Sequence, residues 1–212
     1  MKPIVFGEVL FDRFPDGSVV LGGAPFNVAW HLQALGLPPL FVSRVGRDEL
    51  GARITAAMKE WGMDLAGLQT DPTHATGTVE VTITDGEPSY DIATGKAYDY
   101  ITAGELPAAP AAGILYHGSL ALRSEPPRAA LARLRQAAPQ VLVDVNLRAP
   151  WWEPDRLDGL LRAASLAKLN EIELAELVPN EQDTAGRAAV LLERADLAGL
   201  IVTRGARGAA AF

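Results

Sequence analysis

Short apolar runs rich in β-branched residues alternate along the chain with segments of helical periodicity. The run at 4–9 precedes a predicted helix at about 25–35, and the run at 40–45 precedes a helical segment that Asp48 can cap. Further runs of the same buried type lie at 114–118, 140–146, 165–170 and 199–205. This alternation predicts an α/β fold with a mainly parallel sheet joined by right-handed crossovers.

Two stretches instead alternate apolar and polar residues with a period of two, which is typical of strands with one buried face. We expect antiparallel lid strands there, at about residues 10–21 and 76–100. Tight turns are predicted at Asp16-Gly17 and Asp85-Gly86. A small sheet with one apolar face needs a covering surface, which would be a bound substrate or a second subunit.

Composition narrows the class of protein. The 212 residues are 49% hydrophobic and 21% charged, which suits a single domain over residues 1–212 with one sizeable core. A formal net charge of -7 gives no basic stripe, so no nucleic-acid partner is expected. No apolar run has bilayer length and no signal-like start is present, so we expect no membrane partner and a cytoplasmic location. The absence of cysteine excludes a disulfide framework.

The segment LGGAPFNVAWHLQALG places two adjacent glycines before a helix and Asn27 one turn inside it. Gly22 and Gly23 would allow close backbone packing, as in many α/β folds, or would let a ligand lie against bare peptide. In the second case the Asn27 amide offers both a donor and an acceptor to sugar hydroxyl groups. The segment is therefore a candidate sugar site.

The segment VDVNLRAPWW follows a predicted central strand. Its polar residues, Asp144, Asn146 and Arg148, leave the carboxyl end of that strand, where open α/β sheets bind ligands. A guanidinium group suits phosphate geometry. The alternative is that Arg148 pairs with a surface carboxylate and that Trp151 and Trp152 only pack.

Two later segments have ordinary structural explanations. In KLNEIELAEL, Asn170 and Glu173 have the spacing of a helix capping pair. In VTRGARGAAAF, Gly205 and Gly208 suit a hairpin that needs positive φ. The chain has no G-x-x-x-x-G-K-[ST] loop, no G-x-G-x-x-G after a strand and no G-x-S-x-G elbow.

An ordered series of segments resembles the PfkB-type (ribokinase-like) family of carbohydrate kinases. The segments are GEVLFDRFPDG, GGAPFNVAWHLQALG with Gly46 further on, DPTHATGTVEV, VDVNLRAPWW, KLNEIELAEL and VTRGARGAAAF, and together they span most of the chain. The resemblance implies a three-layer ribokinase-like sandwich with a mainly parallel central sheet and a small β-lid. It also implies ATP and Mg²⁺ as cofactors and a homodimer formed through the lid strands.

The resemblance assigns roles to individual residues. Those expected at the sugar are Asp12, Gly22, Gly23, Asn27 and Arg148. Those expected at the nucleotide and its phosphates are Asn146, Lys168, Asn170, Glu173, Thr203, Gly205 and Gly208. Glu173 is also expected to reach Mg²⁺ through water, because Mg²⁺ commonly keeps waters and uses few direct carboxylates.

The GGAPFNVA form resembles the fructokinase branch of the family. Relatives that act on ribose or on phosphorylated sugars often carry a lysine just after the paired glycines, where this chain has Ala24 and Pro25. A neutral hexose, phosphorylated on a primary hydroxyl, is therefore favoured over a sugar phosphate, which would need an added cation. A 2-keto-3-deoxygluconate kinase stays open if Arg148 pairs a substrate carboxylate, and a nucleoside kinase if Tyr90 stacks on a base.

Family members continue into a D-T-x-G-A-G-D segment, whose last aspartate is the catalytic base and whose amides form an anion hole. The 212 residues contain no such segment, so we assign no catalytic residue and expect a domain truncated at its carboxyl end. Loss of a general base costs about 10²- to 10⁴-fold in rate, so this chain alone is expected to be nearly inactive. The alternative is a non-catalytic protein that keeps sugar binding or dimerisation.

Overall fold

The computed structural model describes residues 2–84, 87–108 and 113–212. The strands are β1 Ile4–Phe6, β2 Leu10–Arg13, β3 Val19–Gly22, β4 Leu40–Gly46, β5 Leu68–Asp71, β6 Gly77–Thr84, β7 Glu87–Ile92, β8 Leu115–Gly118, β9 Val141–Asp144, β10 Leu166–Asn170, β11 Gly199–Thr203 and β12 Ala209–Ala211. The helices are α1 Ala24–Ala34, α2 Glu49–Glu60, α3 Glu125–Arg135, α4 Pro154–Arg162, α5 Glu171–Leu177 and α6 Thr184–Ala195. The predicted turn at Asp85-Gly86 lies outside the described residues.

The main sheet has the order β12-β11-β10-β9-β8-β1-β4-β5. Every neighbouring pair is parallel except β11 with β12, which is antiparallel. Strand β1 is central, since Ile4 lies opposite Leu40 of β4 on one side and Leu115 of β8 on the other. The prediction of a mainly parallel α/β sheet is confirmed.

Helices cover both faces of this sheet because side chains along a strand alternate between the faces. Ile4 and Phe6 of β1 belong to the core cluster shared with α3, α4, α5 and α6, whereas Val5 belongs to the cluster shared with α1 and α2. All three side chains are fully buried. The molecule is therefore the expected three-layer sandwich.

Helix α2 begins where the sequence predicts. The Asp48 carboxylate accepts the backbone N–H of Gly51 at 2.8 Å, and its other oxygen accepts the N–H of Thr76 at 2.8 Å. A capping residue thus also holds the start of β6. Gly62, with φ 73°, follows the end of the helix.

A second sheet of four strands, β3-β2-β6-β7, forms the lid. The hairpin at Asp16-Gly17 is confirmed by the hydrogen bond from Phe14 N to Ser18 O at 2.9 Å. The expectation of antiparallel pairing throughout is wrong, because β2 and β6 run parallel, with Leu10 opposite Gly77. Parallel neighbours need a long crossover, and α1, β4, α2 and β5 supply it.

The lid also ends earlier than residue 100. Residues 97–100 form a 3₁₀ turn, in which Tyr98 is fully buried and Asp99 accepts two hydrogen bonds from Arg123. This ion pair and the buried ring anchor the turn against the main body, so strand pairing stops at Ile92. Among the described residues, no helix is both long and apolar enough to cross a bilayer.

Candidate functional site

A cleft of about 220 Å³ lies between the lid and the carboxyl ends of the central strands. Its polar lining consists of Glu8, Asp12, Asn27, Asn146 and Arg148. Its apolar lining comes mainly from the lid and the turn after β8, through Leu10, Val79, Tyr90, Ile92 and Leu120. A polar floor under an apolar cover suits a small hydroxylated molecule, whose faces are partly apolar and whose edges need hydrogen bonds.

Four segments deliver the polar side chains to this cleft, one of them the lid strand β2 with Asp12. Glu8 follows β1, Asn146 and Arg148 follow β9, and Asn27 lies in the first turn of α1. Carboxyl ends of parallel strands meet at one edge of the sheet, which is where such folds bind ligands. Of the residues expected at the sugar, Asp12, Gly23, Asn27 and Arg148 are brought together; Asn146, expected at the nucleotide, lines the same cleft.

Each of the paired glycines makes room for a neighbour. A Cβ at Gly22 would lie 2.8 Å from Asp12 Oδ2, and a Cβ at Gly23 would lie 2.7 Å from the carbonyl oxygen of Glu8. Gly23 also has φ 108°, which disfavours residues with side chains. Close backbone packing is therefore one function of the pair, and Gly23 in addition lines the cleft.

Asp12 faces the cleft and not bulk solvent. It is half-buried on β2, directly opposite Val79 of β6, and both residues face the cleft. Burial raises the pKa of the Asp12 carboxyl above its usual range. A carboxylate in this place is a hydrogen-bond acceptor for hydroxyl groups.

Arg148 projects into the cleft beside the lid. Its Nη1 donates to the carbonyl oxygen of Leu147 at 3.0 Å, and its Cζ lies 5.8 Å from the centroid of the Tyr90 ring. Within the described part of the chain it has no ion pair, so the alternative of a surface salt bridge is not observed. The tryptophans do pack: Trp151 lies 4.9 Å beneath Arg123, and Trp152 joins the main core.

Lys168 is held by a carboxylate that the sequence did not pair with it. Its Nζ lies 3.0 Å from Asp144 Oδ1 on the neighbouring strand, and Tyr116 donates its hydroxyl to Asp144 Oδ2 at 2.8 Å. The Lys168 side chain stays one-third exposed. It can therefore meet an anion at the carboxyl end of β10 while remaining oriented by Asp144.

Asn170 and Glu173 form the capping pair at the start of α5. Asn170 Oδ1 accepts the N–H of Glu173 at 2.9 Å, and Glu173 Oε2 accepts the N–H of Asn170 at 2.9 Å. The other oxygen, Oε1, accepts the N–H of Leu147 at 2.7 Å, and Glu173 is buried. The capping interpretation is confirmed, and Glu173 also fixes the loop that carries Asn146 and Arg148.

The segment after β11 is the hairpin that its glycines indicate. Arg204 N donates to Gly208 O at 2.7 Å, and Gly205 and Gly208 have φ of 58° and 82°. Thr203 lies opposite Asn170 in the sheet register. The residues expected at the nucleotide, other than Asn146, thus lie at the ends of β10 and β11, beside the cleft rather than inside it.

Glu8 is a polar cleft residue that the sequence patterns did not indicate. Its side chain is only 2% exposed, and among the described residues its Oε2 has no hydrogen-bond partner. Burial raises its pKa to about 7. The available sequence signal was an acid that directly follows a glycine at the end of an otherwise apolar run.

A parallel sheet covered on both faces by helices, with a four-stranded lid over a polar cleft, defines the ribokinase-like class of α/β proteins. The model of the pfkB family of carbohydrate kinases matches residues 6–212. The chain belongs to the pfkB family.

Several proteins are similar to this chain in sequence or in structure. The fructokinase of Salmonella typhimurium is 32% identical over 222 residues, which cover 98% of this chain and 72% of the relative. The fructokinase of Vibrio cholerae O395 bound to fructose, ADP and calcium ion is 27% identical, with a TM-score of 0.84 over 100% of this chain and 73% of that one. The aminoimidazole riboside kinase of Salmonella enterica, complexed with aminoimidazole riboside and an ATP analog, is 25% identical, with a TM-score of 0.85 over 100% and 73%.

Proposed function

We propose that this chain forms the sugar site and part of the nucleotide site of an ATP-dependent kinase acting on a primary hydroxyl of a neutral hexose, with fructose the first candidate. Membership of the carbohydrate kinase family supports the reaction class. The observation that carries the finer proposal is the lidded polar cleft, in which Asp12 and Asn27 offer acceptors and a donor to hydroxyl groups. The named fructokinase relatives support the same substrate.

The residues in and beside the cleft would contact the phosphoryl group and the nucleotide during transfer. ATP would supply the γ-phosphoryl, which the sugar hydroxyl oxygen attacks as the bond to the ADP oxygen breaks, and the hydroxyl proton passes to a carboxylate base. Arg148, at the wall of the cleft, would stabilise the charge on the phosphoryl oxygens. Lys168, Asn170 and Thr203, at adjacent strand ends, would orient the nucleotide phosphates.

Mg²⁺ would be held indirectly. Among the described residues there is no group of three or more His, Cys, Asp or Glu side chains that could hold a metal ion. Both carboxylate oxygens of Glu173 already accept backbone N–H groups, at 2.7 and 2.9 Å. Contact through water and through the ATP phosphates is the mode that these residues fit.

We also propose that the 212 residues transfer phosphate slowly by themselves. The aspartate base and the anion-hole amides implied by the family resemblance belong to a D-T-x-G-A-G-D segment that this sequence does not contain. Sugar binding is expected to depend on the cleft residues Asp12, Asn27 and Arg148, which this chain contains. Binding without appreciable turnover is the expected behaviour of these 212 residues.

A homodimer through the lid is a further part of the proposal. Val20 is 50% exposed and Tyr90 49% exposed, and both lie on lid strands. A second lid laid against the first would cover them. Sedimentation at several protein concentrations distinguishes dimer from monomer. A cytoplasmic location stays a prediction from the sequence.

Nucleoside substrates form a second candidate class. The half-exposed Tyr90 ring lies on the cleft wall beside Arg148, where a base could stack. The relative that binds aminoimidazole riboside supports testing this class. A keto-deoxy sugar acid, with its carboxylate on Arg148, belongs in the same panel.

The test combines binding and turnover. Fructose, ribosides and 2-keto-3-deoxygluconate are titrated into the 212-residue chain, and Mg-ATP-dependent phosphorylation is measured with this chain and with a form extended by a D-T-x-G-A-G-D segment. We expect fructose to bind best, the short chain to be about 10²- to 10⁴-fold slower, and the extended form to phosphorylate fructose. Asn27→Ala should weaken fructose binding, whereas the matched Asn180→Ala, at an exposed position, should not.

Each contrary result has a meaning. Ordinary turnover by the short chain would refute the proposed dependence on the missing segment. If a riboside or the sugar acid is preferred over fructose, that compound replaces fructose as the proposed substrate. Fructose binding with no turnover even in the extended form would favour the non-catalytic alternative.

A further inference from the structure

Glu8 occupies the floor of the cleft at the centre of the molecule. It follows β1, the strand between β4 and β8, and its backbone carbonyl packs against Gly23 at the start of α1. The side chain lines the cleft, is 2% exposed, and has an Oε2 without a hydrogen-bond partner in the described part of the chain. A buried polar atom left unpaired costs free energy, so a ligand that pairs it gains affinity.

The charged groups around Glu8 come from several elements, and two of them, Asp144 and Arg123, have ion-pair partners of their own. Asp144, at the end of β9, is paired with Lys168 and Tyr116. Arg123, in the 3₁₀ turn after β8, pairs with Asp99 at 2.8 Å and donates to the Tyr98 hydroxyl at 3.0 Å.

Arg148, in the loop after β9, donates to Leu147 O. Asp12 approaches the same cleft from the lid. Among the described residues, Glu8 therefore has no ion-pair partner, and its nearest charged neighbours include the like-charged Asp144.

This environment favours the neutral carboxyl group. The pKa of Glu8 is raised to about 7: burial raises it most and Asp144 also raises it, whereas a hydrogen bond to its own backbone, Arg148 and Arg123 lower it. Near neutral pH a substantial fraction of Glu8 then carries a proton. A protonated carboxyl is a hydrogen-bond donor, which an ionised one cannot be. A sugar that enters the cleft removes more water and favours the neutral form again.

We propose that Glu8 is a specificity-determining residue of the sugar site, whose neutral carboxyl group donates a hydrogen bond to a hydroxyl oxygen of the sugar from the cleft floor. Asp12, on the lid side, accepts hydrogen bonds from the sugar hydroxyl groups. The sugar then lies between a hydrogen-bond donor and a hydrogen-bond acceptor. Binding then takes up a proton on Glu8 when the free protein has it ionised. The inference rests on the proposed sugar-binding function.

The test is a calorimetric titration of D-fructose into the 212-residue chain between pH 6 and 8.5. We expect nearly constant affinity below pH 7 and a loss of about tenfold per pH unit well above it. At pH 8, repeating the titration in buffers of different ionisation enthalpy should report uptake of about one proton. This second measurement needs no variant, so it holds even where a substitution disturbs folding.

Two isosteric substitutions complete the design. Glu8→Gln cannot ionise, so its fructose affinity should be independent of pH and its binding should take up no proton. Glu60→Gln makes the same charge change at an exposed position at the end of α2 and should keep the pH dependence of the native chain.

A native affinity that is flat or rises with pH would overturn the inference, as would a Glu8→Gln profile that still falls above pH 7. Absence of fructose binding by the native chain at every pH would instead overturn the proposed function.

Discussion

Among the described residues, Asp12 is the single carboxylate that the lid contributes to the cleft. Replacement by Asn keeps the shape but removes the charge that strengthens hydrogen bonds from hydroxyl groups, which are worth about 1.5 to 3 kcal/mol when one partner is ionised. We expect Asp12→Asn to weaken fructose binding about 10- to 100-fold at pH 7, measured by calorimetry.

The matched control for this change is Asp91→Asn. Asp91 is exposed on β7, next to Ile92, and side chains alternate between the two faces of a strand. Asp91→Asn removes the same charge from the lid as Asp12→Asn does, but it leaves the lining of the cleft unchanged. Equal losses in the two variants would mean that lid charge, and not contact with the sugar, controls affinity.

Single residues could be selected from the sequence where their chemistry is visible in a local pattern. The paired glycines predict a backbone turn, Asn27 places an amide at the start of the predicted helix, and Arg148 follows a predicted strand. Glu8 could not be selected in this way, since its burial depends on the lid and on β9, both distant in sequence. The pairing of Lys168 with Asp144 likewise needs the order of β9 and β10 in the sheet.

At the scale of elements, Glu173 joins α5 to the loop after β9. Its two oxygens accept the N–H groups of Leu147 and Asn170 at 2.7 and 2.9 Å. Glu173→Gln replaces one acceptor oxygen by a donor, so one buried amide loses its partner. We expect a loss of about 1 to 3 kcal/mol in unfolding free energy, measured in denaturant, and weaker fructose binding because the loop bearing Arg148 is freed.

Glu176→Gln serves as the comparison within the same helix. Glu176 is exposed near the end of α5, so the substitution removes the same charge without a buried hydrogen bond. Unchanged stability and affinity are expected for it. If both variants lost the same stability, helix charge would account for the effect and the link to the loop would be refuted.

Elements with local signals were predicted closely, such as α1 at 24–34 and β4 at 40–46. Strand β5, Leu68–Asp71, lacked such a signal because two of its four residues are buried polar groups. Gln69 and Asp71 are accommodated by Arg44 of β4, at 3.1 and 2.8 Å. The parallel pairing of β2 with β6 was also missed, because each strand taken alone has only a period of two.

At the scale of the molecule, the strand order brings residues that are distant in sequence together at one edge of the sheet. Strands β1 and β9 carry Glu8 and Arg148 to the cleft, and β10 and β11, next in the sheet, carry Asn170 and Thr203. A sugar in the cleft and phosphates at these strand ends would then be neighbours. The proposed phosphoryl transfer would therefore depend on sheet order more than on any one motif.

Glu8 also makes the stability of the whole molecule depend on pH. Its pKa is about 7 in the folded chain and 4.5 in its ordinary state, so the folded form binds the proton more tightly. The contribution to stability is complete below pH 4.5 and is lost as pH rises through 7, by about 3 kcal/mol in total. Denaturant unfolding of the native chain and of Glu8→Gln is measured between pH 5 and 8.5. The difference between their unfolding free energies isolates the titration of Glu8, because the other titrating groups contribute equally to both chains. We expect the difference to shift with pH in favour of Glu8→Gln; a constant difference would mean that Glu8 is ionised in the folded protein throughout this range.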